Sequence, residues 1–438
     1  MRNGARFLAY EIINQFNNKT KLDSLIEKVY TKYNPDYLVR SRCRVIVNDV
    51  IRLLGRIDLI IKIVSGKNQK QISRQMQSIL RIGIYEILID DLSPNYATVN
   101  SLVDLAKFIS NRKSAGFINA VLRKLIRKNN NNPHWINTLS NNPEWNSTPD
   151  WIQKRWKKNL GPEGFIKMIR SVNENPPNFI RIDKKGQIIE QIIKDLSNDG
   201  IDTKIFSESF LIVNGGIGKV LQNKMFKKGE ISIQNPASAA VVDCLNVNRG
   251  DFVIDVCAAP GTKSLYLSSL VGNSGKILAS DVKTERVEMG IRDLYRHRKR
   301  NIKWEVKDAT KDNYPMTNYI LIDAPCTGTG VLGRKPDIKW RRKNEDIQEM
   351  AKKQLDILSH CSKFIKANGV VVYATCSIEP EENWNVVDRF LNLNPKFRLD
   401  DIHSMVPKSW IDKRGAMSTL PYINIVDGIF AVRIIKEQ

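Results

Sequence analysis

The sequence predicts a three-part protein: an all-helical first domain (1–132), a small α+β module (133–230) and a C-terminal α/β domain (231–438). Three observations lead to this prediction. A chain of 438 residues is longer than one hydrophobic core normally supports. Apolar residues recur at every third or fourth position up to about residue 128. Beyond residue 230, short apolar runs alternate with helical segments, which is typical of a parallel sheet covered on both faces.

Five segments of the first domain have the apolar spacing of amphipathic helices, and no alternating strand pattern interrupts them. The polar run KNNNNPHW closes the domain. The predicted helical segments are ARFLAYEIINQF, RCRVIVNDVIRLLGRIDLIIKIV, RQMQSILRIGIYEILIDDL, ATVNSLVDLAKFI and GFINAVLRKLIRK.

The apolar residues of the middle module follow a different pattern, with short apolar runs on either side of one helical segment. The run NFIRID predicts a strand, IIEQIIKDLSNDG predicts a helix, and TKIF and FLIVNGG predict two further strands. A strand, a helix and two more strands indicate a small α+β fold.

Five apolar runs of the last domain predict parallel strands: DFVIDVC, GKILASD, IKWEVKDA, YILIDAP and GVVVYATCS. In such sheets ligands bind beyond the carboxyl ends of the strands. The first strand runs into the tight loop DVCAAPGTKS, and the next three end at or near Asp281, Asp308 and Asp323. One such acid alone is more often a helix cap or a turn residue, but a polar group after each of four consecutive strands indicates a binding site. The loop lacks the GxGxxG pattern, which disfavours a dinucleotide.

The charge indicates a polyanionic partner. The chain has 69 Lys and Arg residues against 46 Asp and Glu, a net charge of +23. Residues 1–135 alone contribute +13, whereas a generally lysine-rich composition would spread the surplus evenly. Nucleic acid is therefore the expected partner, and the first domain is expected to supply much of the affinity.

The six cysteines are widely spaced, include no CxxC pair and are accompanied by only four histidines. This pattern argues against a zinc site and against a disulfide framework. The first residues lack the apolar core of a signal peptide, and no apolar run approaches the ~18 residues that a membrane span needs. We expect a reduced, cytoplasmic protein, with no membrane and no metal, acting as a monomer.

Three motifs resemble those of one enzyme family. DVCAAPGTKS, LIDAPCTGTGVLGRKPDIKW and YATCSIEPEEN resemble motifs I, IV and VI of the RNA cytosine-C5 methyltransferases, which use S-adenosylmethionine. The segments LRIGIYEILIDDLSPNYATVNSLVDLAKF and GFINAVLRKLIR resemble the NusB-like domain of the RsmB (Sun/Fmu) branch, which methylates small-subunit ribosomal RNA. The resemblance covers nearly the whole chain and is weakest in the middle module.

The resemblance implies a Rossmann-like, seven-stranded methyltransferase sheet and assigns roles to individual residues. Cys376 is implied to be the nucleophile, Cys326 to take part in release of the adduct, and Asp323 to activate the base. The implied substrate is cytosine 967 of the small-subunit RNA. The residues implied to bind S-adenosylmethionine are Cys257, Ala258, Ala259, Pro260, Gly261, Thr262, Lys263, Asp281, Asp308 and Asp323.

The chemistry explains why two thiols are useful. C5 of cytosine is a weak nucleophile until a thiolate adds to C6, and the C5 proton must leave before that thiolate can be expelled. A free thiol, with a pKa of about 8.5, is mostly protonated at neutral pH. Pro380, Glu381 and Glu382 predict the first turn of a helix just past Cys376, whose N–H groups would favour the thiolate, although the glutamates oppose this.

Most cysteines near strand ends are packing residues. We assign that role to Cys43, Cys244 and Cys361, and we expect Cys257 to form a wall of the cofactor loop. The segment GRKPDIKWRRK (333–343) places six basic residues around Trp340 and predicts phosphate binding and base stacking, with a solvated surface loop as the alternative.

Two other functions compete with the main hypothesis, a ribosomal RNA cytosine-C5 methyltransferase. A non-catalytic RNA-binding assembly factor would be expected to have lost the cofactor loop or a thiol, and both are present. An amino-directed methyltransferase would carry an N/D-P-P-Y/F motif where this chain has DAPC. Methylation at C5 of another RNA also remains open, since specificity depends on RNA shape.

Overall fold

The computed structural model describes residues 4–90, 92–183 and 189–438. Residue 91, near the end of the predicted segment RQMQSILRIGIYEILIDDL, lies outside these ranges, as does residue 188, the first of the predicted helix in the middle module. No helix among the described residues combines the length and the apolar character that crossing a membrane requires.

The chain divides into two packed units. The helical unit comprises residues 1–175 together with 332–343. The sheet unit comprises residues 176–331 and 344–438.

Amphipathic helices form most of the helical unit, as the three-and-four spacing predicts, and the apolar faces of those before residue 132 share one core. The predicted segment RCRVIVNDVIRLLGRIDLIIKIV forms two helices, because the backbone leaves the helical region at Leu53. Side chains of Asp36 and Asn111 cap two helix starts by accepting backbone N–H groups. The helices are α1 (Ala5–Gln15), α2 (Leu22–Tyr33), α3 (Tyr37–Arg52), α4 (Leu54–Ser65), α5 (Arg74–Tyr85), α6 (Asn95–Ile109), α7 (Arg112–Asn131) and α8 (Asp150–Asn173).

Helix α8 was not predicted from the sequence. It is interrupted at Gly161, where φ is 70° and ψ is 174°, and Pro162 follows. A Gly-Pro pair normally signals a turn, and it hides the helical spacing on either side. Trp156 and Met168, one on each side of the break, are both buried.

A small antiparallel sheet begins the sheet unit, with strand order β2–β3–β1–β4. The predicted strands and helix of the middle module are present, and a short fourth strand pairs with β1. The elements are β1 (Asn178–Ile182), α9 (Ile189–Asn198), β2 (Thr203–Ser207), β3 (Phe210–Val213), α10 (Gly218–Gln222), α11 (Lys224–Lys227) and β4 (Ile231–Ile233).

The large sheet has the order β10–β12–β9–β8–β5–β6–β7, and β11 pairs with β12. All five strands predicted from the apolar runs are present and parallel to one another, while β10, β11 and β12 add antiparallel pairs. The strands are β5 (Phe252–Val256), β6 (Lys276–Asp281), β7 (Ile302–Val306), β8 (Thr317–Asp323), β9 (Ile365–Thr375), β10 (Phe397–Asp400), β11 (Met417–Ser418) and β12 (Phe430–Lys436).

Helices cover both faces of the large sheet, which explains why its strands are apolar throughout. Successive residues of β5 point to opposite faces, so that Val253 enters one core and Ile254 the other. The remaining helices are α12 (Pro236–Asp243), α13 (Thr262–Val271), α14 (Thr284–His297), α15 (Asp337–Arg341, in the helical unit), α16 (Glu345–Cys361), α17 (Trp384–Leu393) and α18 (Pro421–Asn424).

The packing role expected for three cysteines is confirmed. Cys43, Cys244 and Cys361 are fully buried, each in a different hydrophobic core. Burial raises the pKa of each of these thiols to about 12, so they remain protonated and unreactive at neutral pH.

The prediction that Trp340 stacks on bases is wrong. Trp340 packs against the core of the helical unit, and its indole Nε1 donates to the carbonyl of Ile51 at 2.8 Å. Its neighbour Lys339 is fully buried and donates to the carbonyl of Arg52 and to Asn173 Oδ1, both at 2.9 Å. Burial lowers the pKa of Lys339 well below its usual value. Segment 332–343 therefore stabilises the helical unit.

Candidate active site

The carboxyl ends of the five parallel strands meet at one edge of the large sheet, and the predicted site residues lie there. Loop 257–261 follows β5, and the other residues end a strand or follow it within three positions. These residues are Asp281 at the end of β6, Asp308 after β7, Asp323 at the end of β8, Cys326 after β8 and Cys376 after β9.

The loop after β5 has a backbone suited to close approach by a ligand. Cys257 and Gly261 have positive φ angles of 61° and 108°. A Cβ at Gly261 would lie 2.8 Å from the ring of Trp304, so only glycine fits there without displacing that ring. The N–H of Ala258 donates to the carbonyl of Ser280 at 2.8 Å, which ties the loop to β6. Burial raises the pKa of Cys257, consistent with a wall of the loop.

Asp281 is a buried acid at the end of β6, with 2% of its surface exposed. Its Oδ1 accepts from the N–H of Lys283 at 3.2 Å. Its Oδ2 lies 2.9 Å from Arg286 Nη1 but accepts no well-aligned hydrogen bond from any described residue. Arg286 also donates to the carbonyl of Ala259, so it links Asp281 to the loop after β5.

Asp255 is an acid of this edge that sequence reasoning missed. It is fully buried, its Oδ2 accepts from Ser264 Oγ at 2.6 Å, and its Oδ1 accepts no hydrogen bond from the described residues. Burial raises the pKa of Asp255 to about 7. Its place inside the motif DVCAAPG was visible in the sequence, but its burial was not.

Asp308 is held within its own turn. Its Oδ1 accepts from the N–H of Thr310 at 3.0 Å and from Thr310 Oγ1 at 2.7 Å, and these bonds lower the pKa of Asp308. This is the turn role that a lone acid after a strand usually has. Its role toward the cofactor stays a prediction.

The two thiols predicted to share a site lie next to each other. Strands β8 and β9 are parallel neighbours, and the N–H of Ala324 donates to the carbonyl of Ala374 at 2.9 Å just beyond them. The Sγ atoms of Cys326 and Cys376 are 2.9 Å apart, and both side chains are half-buried free thiols. Residues fifty positions apart in the chain thus lie in direct contact.

The environment of the pair keeps Cys326 protonated. The hydrogen bond with Cys376, burial and the negative charge of nearby Glu382 raise the pKa of Cys326 well above its usual value. Two thiolates in contact would repel each other strongly, so the pair carries at most one negative charge at neutral pH.

Lys263 and Asp323 form an ion pair beside the thiols. Lys263 Nζ donates to Asp323 Oδ2 at 2.7 Å, and 35% of the Asp323 side chain remains exposed. Burial acts to lower the pKa of Lys263, but Asp323, then Asp255 and then the charge of Cys376 outweigh it, so that the pKa of Lys263 is raised. The ammonium group therefore lies within electrostatic reach of the Cys376 sulfur. This pair joins the first turn of α13 to the acid at the end of β8.

Backbone contacts fix the loop that follows Cys326. The N–H of Gly330 donates to the carbonyl of Cys376 at 3.0 Å, and the N–H of Gly428 donates to the carbonyl of Gly330 at 2.9 Å. A Cβ at Gly330 would lie 2.0 Å from the carbonyl oxygen of Gly428. The two glycines let the C-terminal hairpin approach the thiol loops backbone to backbone.

The predicted helix start after Cys376 is a single 3-10 turn, Pro380–Glu382, and α17 begins at Trp384. The side chain of Glu382 is fully buried. This burial was not predicted from the sequence, in which both glutamates read only as charges near a helix start.

The cofactor implied by the resemblance fits these residues. S-adenosylmethionine carries a ribose, whose hydroxyl groups need acceptors, and Asp281 Oδ2 is a buried acceptor with spare capacity. The loop of residues 257–261 has the backbone freedom for close approach, and its links to β6 and α14 hold it in place. Loop 257–261, Lys263 and Asp281 would hold the cofactor beside the thiol pair.

The fold and the site together define the class: an S-adenosylmethionine-dependent methyltransferase. Residues 242–435 match the family model "16S rRNA methyltransferase RsmB/F", residues 3–127 match the NusB family and residues 148–214 match the ferredoxin-like domain of RsmF/B-like methyltransferases. The ribosomal RNA small subunit methyltransferase B of Shewanella oneidensis is 30% identical over 395 residues, which are 88% of each chain. The chain belongs to the RsmB/F family of ribosomal RNA methyltransferases.

Other relatives agree with this assignment. A probable ribosomal RNA small subunit methyltransferase B of Bacillus subtilis is 28% identical over 389 residues, 87% of each chain. The crystal structure of PH0851 is similar over 99% of this chain and 98% of its own, with a TM-score of 0.79 and 26% identity. The predicted family, the NusB-like first domain and the methyltransferase sheet are confirmed.

Proposed function

We propose that the protein methylates C5 of a cytosine in 16S ribosomal RNA through a covalent bond between Cys376 and C6 of the base. The observation that carries this proposal is the contact between the two thiols, 2.9 Å apart at the ends of neighbouring strands. Methylation of an amino group needs no thiol, whereas methylation at C5 gives each of the two a separate task.

Cys376 acts first, as the nucleophile. Its thiolate adds to C6, and the electrons of the C5–C6 double bond make C5 nucleophilic. Asp323 holds the ammonium group of Lys263 within electrostatic reach of this sulfur. Asp323 can accept a hydrogen bond from the 4-amino group of the base, because its carboxylate is partly exposed. S-adenosylmethionine, when bound, supplies an electrophilic methyl group.

Cys326 acts after C5 carries the methyl group. Once Cys376 is bound to carbon, it no longer competes for the single negative charge of the pair, so the main cause of the raised pKa of Cys326 is gone. Cys326 can then release its own proton to water and, as the thiolate, take the C5 proton. The electrons of that C–H bond restore the C5–C6 double bond, and the thiolate of Cys376 leaves.

The resemblance implies cytosine 967 as the target, in a cytoplasmic enzyme acting as a monomer. The test is to incubate purified protein with unmodified 16S RNA and S-adenosylmethionine, digest the RNA and identify the product by mass spectrometry. We expect 5-methylcytidine at one position. N4-methylcytidine, or no methylation of any RNA tried, would contradict the proposed chemistry, and 5-methylcytidine at another site would change only the target.

A further inference from the structure

A buried carboxylate lies between the two loops that carry the thiols. Glu382 has no exposed surface. Its Oε1 accepts from the backbone N–H of Thr327 at 2.8 Å and from Gln354 Nε2 at 2.9 Å. Its Oε2 accepts from the hydroxyl groups of Thr327 and Ser377.

The donors of this carboxylate are the immediate neighbours of the thiols. Thr327 follows Cys326, and Ser377 follows Cys376. We infer that Glu382 is a positioning residue, which holds the two thiols at one site by bonding the residue after each of them. This inference rests on the proposed function, because it concerns the covalent steps of that reaction.

Two neighbouring elements also hold Glu382 and its donors in place. Gln354 of α16 donates to the carbonyl of Pro325 at 3.0 Å as well as to Glu382, so the residues on both sides of Cys326 are held. The hydroxyl of Tyr373, on β9, donates to the carbonyl of Glu382 at 2.6 Å. Glu382 and its hydrogen-bond partners, called the Glu382 clamp below, therefore join β9, α16 and the two loops that carry the thiols.

The energetic balance argues against a packing role. Burying a carboxylate is unfavourable, and burial raises the pKa of Glu382 even though four donors act to lower it. An apolar side chain could fill the same space without that penalty, but it could not accept hydrogen bonds from both loops. A carboxylate can accept several bonds at once, which suits it to joining two loops.

The principal test is Glu382→Gln, which keeps the size of the side chain but places an NH₂ group among donors. Losing about 2 kcal/mol of positioning would lower kcat about 30-fold. We expect KM for RNA and the affinity for S-adenosylmethionine to stay within about twofold of wild type, since neither contact involves Glu382. Glu349→Gln, an exposed glutamate on α16, is the matched control and should leave kcat unchanged.

Two further variants test separately the two sides of the Glu382 clamp, the bond to Ser377 next to Cys376 and the bonds to Thr327 next to Cys326. Ser377→Ala removes a donor beside the nucleophile and should slow formation of the protein–RNA adduct. Thr327→Val removes a donor beside Cys326 and should let the adduct form but slow its breakdown. RNA containing 5-fluorocytosine isolates the first step, because fluorine at C5 cannot leave as a proton and the adduct stays trapped. Both variants also serve if Glu382→Gln does not fold.

The inference is overturned if Glu382→Gln retains kcat within about twofold of wild type. It is also overturned if, per folded molecule, all three variants form and release adducts at the wild-type rate. These outcomes are distinct from failure of the proposed function. If wild-type protein methylates RNA at C5 and forms the trapped adduct, only the role of Glu382 is in question; if wild type forms no adduct, both proposals fail.

Discussion

Among single residues, Asp281 is the acid whose surroundings best suit a ligand, and its substitution gives a direct test. Asp281→Ala should weaken binding of S-adenosylmethionine by at least about 1.5 kcal/mol, the low end for a hydrogen bond to a charged group. Isothermal titration calorimetry measures this. Glu288→Ala, an exposed acid on α14, is the control. If the affinity of Asp281→Ala equals that of wild type, Asp281 does not bind the ribose.

Asp255 makes a prediction about stability and pH. Its pKa is raised to about 7 in the folded protein, from 3.8 for the ordinary group, because it is buried. The folded state therefore holds a proton that the unfolded chain releases, and stability falls as pH rises from about 4 through about 7. Asp255→Asn removes this loss.

The measurement is the free energy of unfolding of the sheet unit at pH 5 and pH 8. The free energy of unfolding of Asp255→Asn minus that of wild type should be larger at pH 8 than at pH 5. An equal difference between the two proteins at both pH values would show that Asp255 titrates normally.

Sequence reasoning at this scale located residues that follow strands, because strand ends are visible as apolar runs. Asp281 and Asp323 were predicted in this way, whereas Cys326 and Cys376 were predicted from the motifs that contain them. All four lie at the same sheet edge. The partner of Asp323, the burial of Asp255 and the contacts of Glu382 depend on side-chain orientation, which no local pattern carries.

Among elements, the contact between the loop after Cys326 and the C-terminal hairpin depends on Gly330. Gly330→Ala would place a methyl group against the backbone of Gly428, so the two elements must separate. Overpacking of this kind costs about 1–3 kcal/mol of stability. Since Gly330 also bonds Cys376, we expect kcat to fall by at least about tenfold.

Thermal unfolding and steady-state methylation measure these two effects. Gly116→Ala is the control: its Cβ would meet nothing within 4 Å on the exposed side of α7, and it should stabilise that helix by about 1 kcal/mol. If Gly330→Ala retains wild-type kcat, the loop after Cys326 can shift without displacing the two thiols, and the prediction is wrong.

Element types were predictable where the apolar period was regular, as in α1, α5, α7 and the parallel strands. Two elements were not. Helix α8 contains a Gly-Pro break that resembles a turn, and segment 332–343 has the composition of a nucleic-acid-binding loop. The second error has a physical reason: the same Lys and Trp side chains can donate to backbone carbonyls, as Lys339 and Trp340 do.

For the whole molecule, the uneven charge makes a prediction about RNA affinity. Residues 1–135 carry a net charge of +13, and α7 exposes Lys124 and Arg127 on its polar face. Each lost phosphate contact lowers the slope of log affinity against log salt by about 0.7–0.9. Lys124→Gln with Arg127→Gln should weaken RNA binding and flatten its salt dependence, as measured by filter binding. Lys352→Gln with Lys353→Gln on α16 controls for total charge, and an equal slope in the two double variants would contradict the prediction.

The central claim is that the two thiols perform successive steps on one base, and one experiment tests it directly. Cys376→Ala and Cys326→Ala are each incubated with target RNA and S-adenosylmethionine and run on a denaturing gel. Cys376→Ala should give neither methylated RNA nor a covalent complex, because no bond to C6 can form. Cys326→Ala should accumulate a slow-migrating protein–RNA band, because loss of the C5 proton is impaired. A band with Cys376→Ala instead would exchange the two roles, and normal methylation by both variants would contradict covalent catalysis.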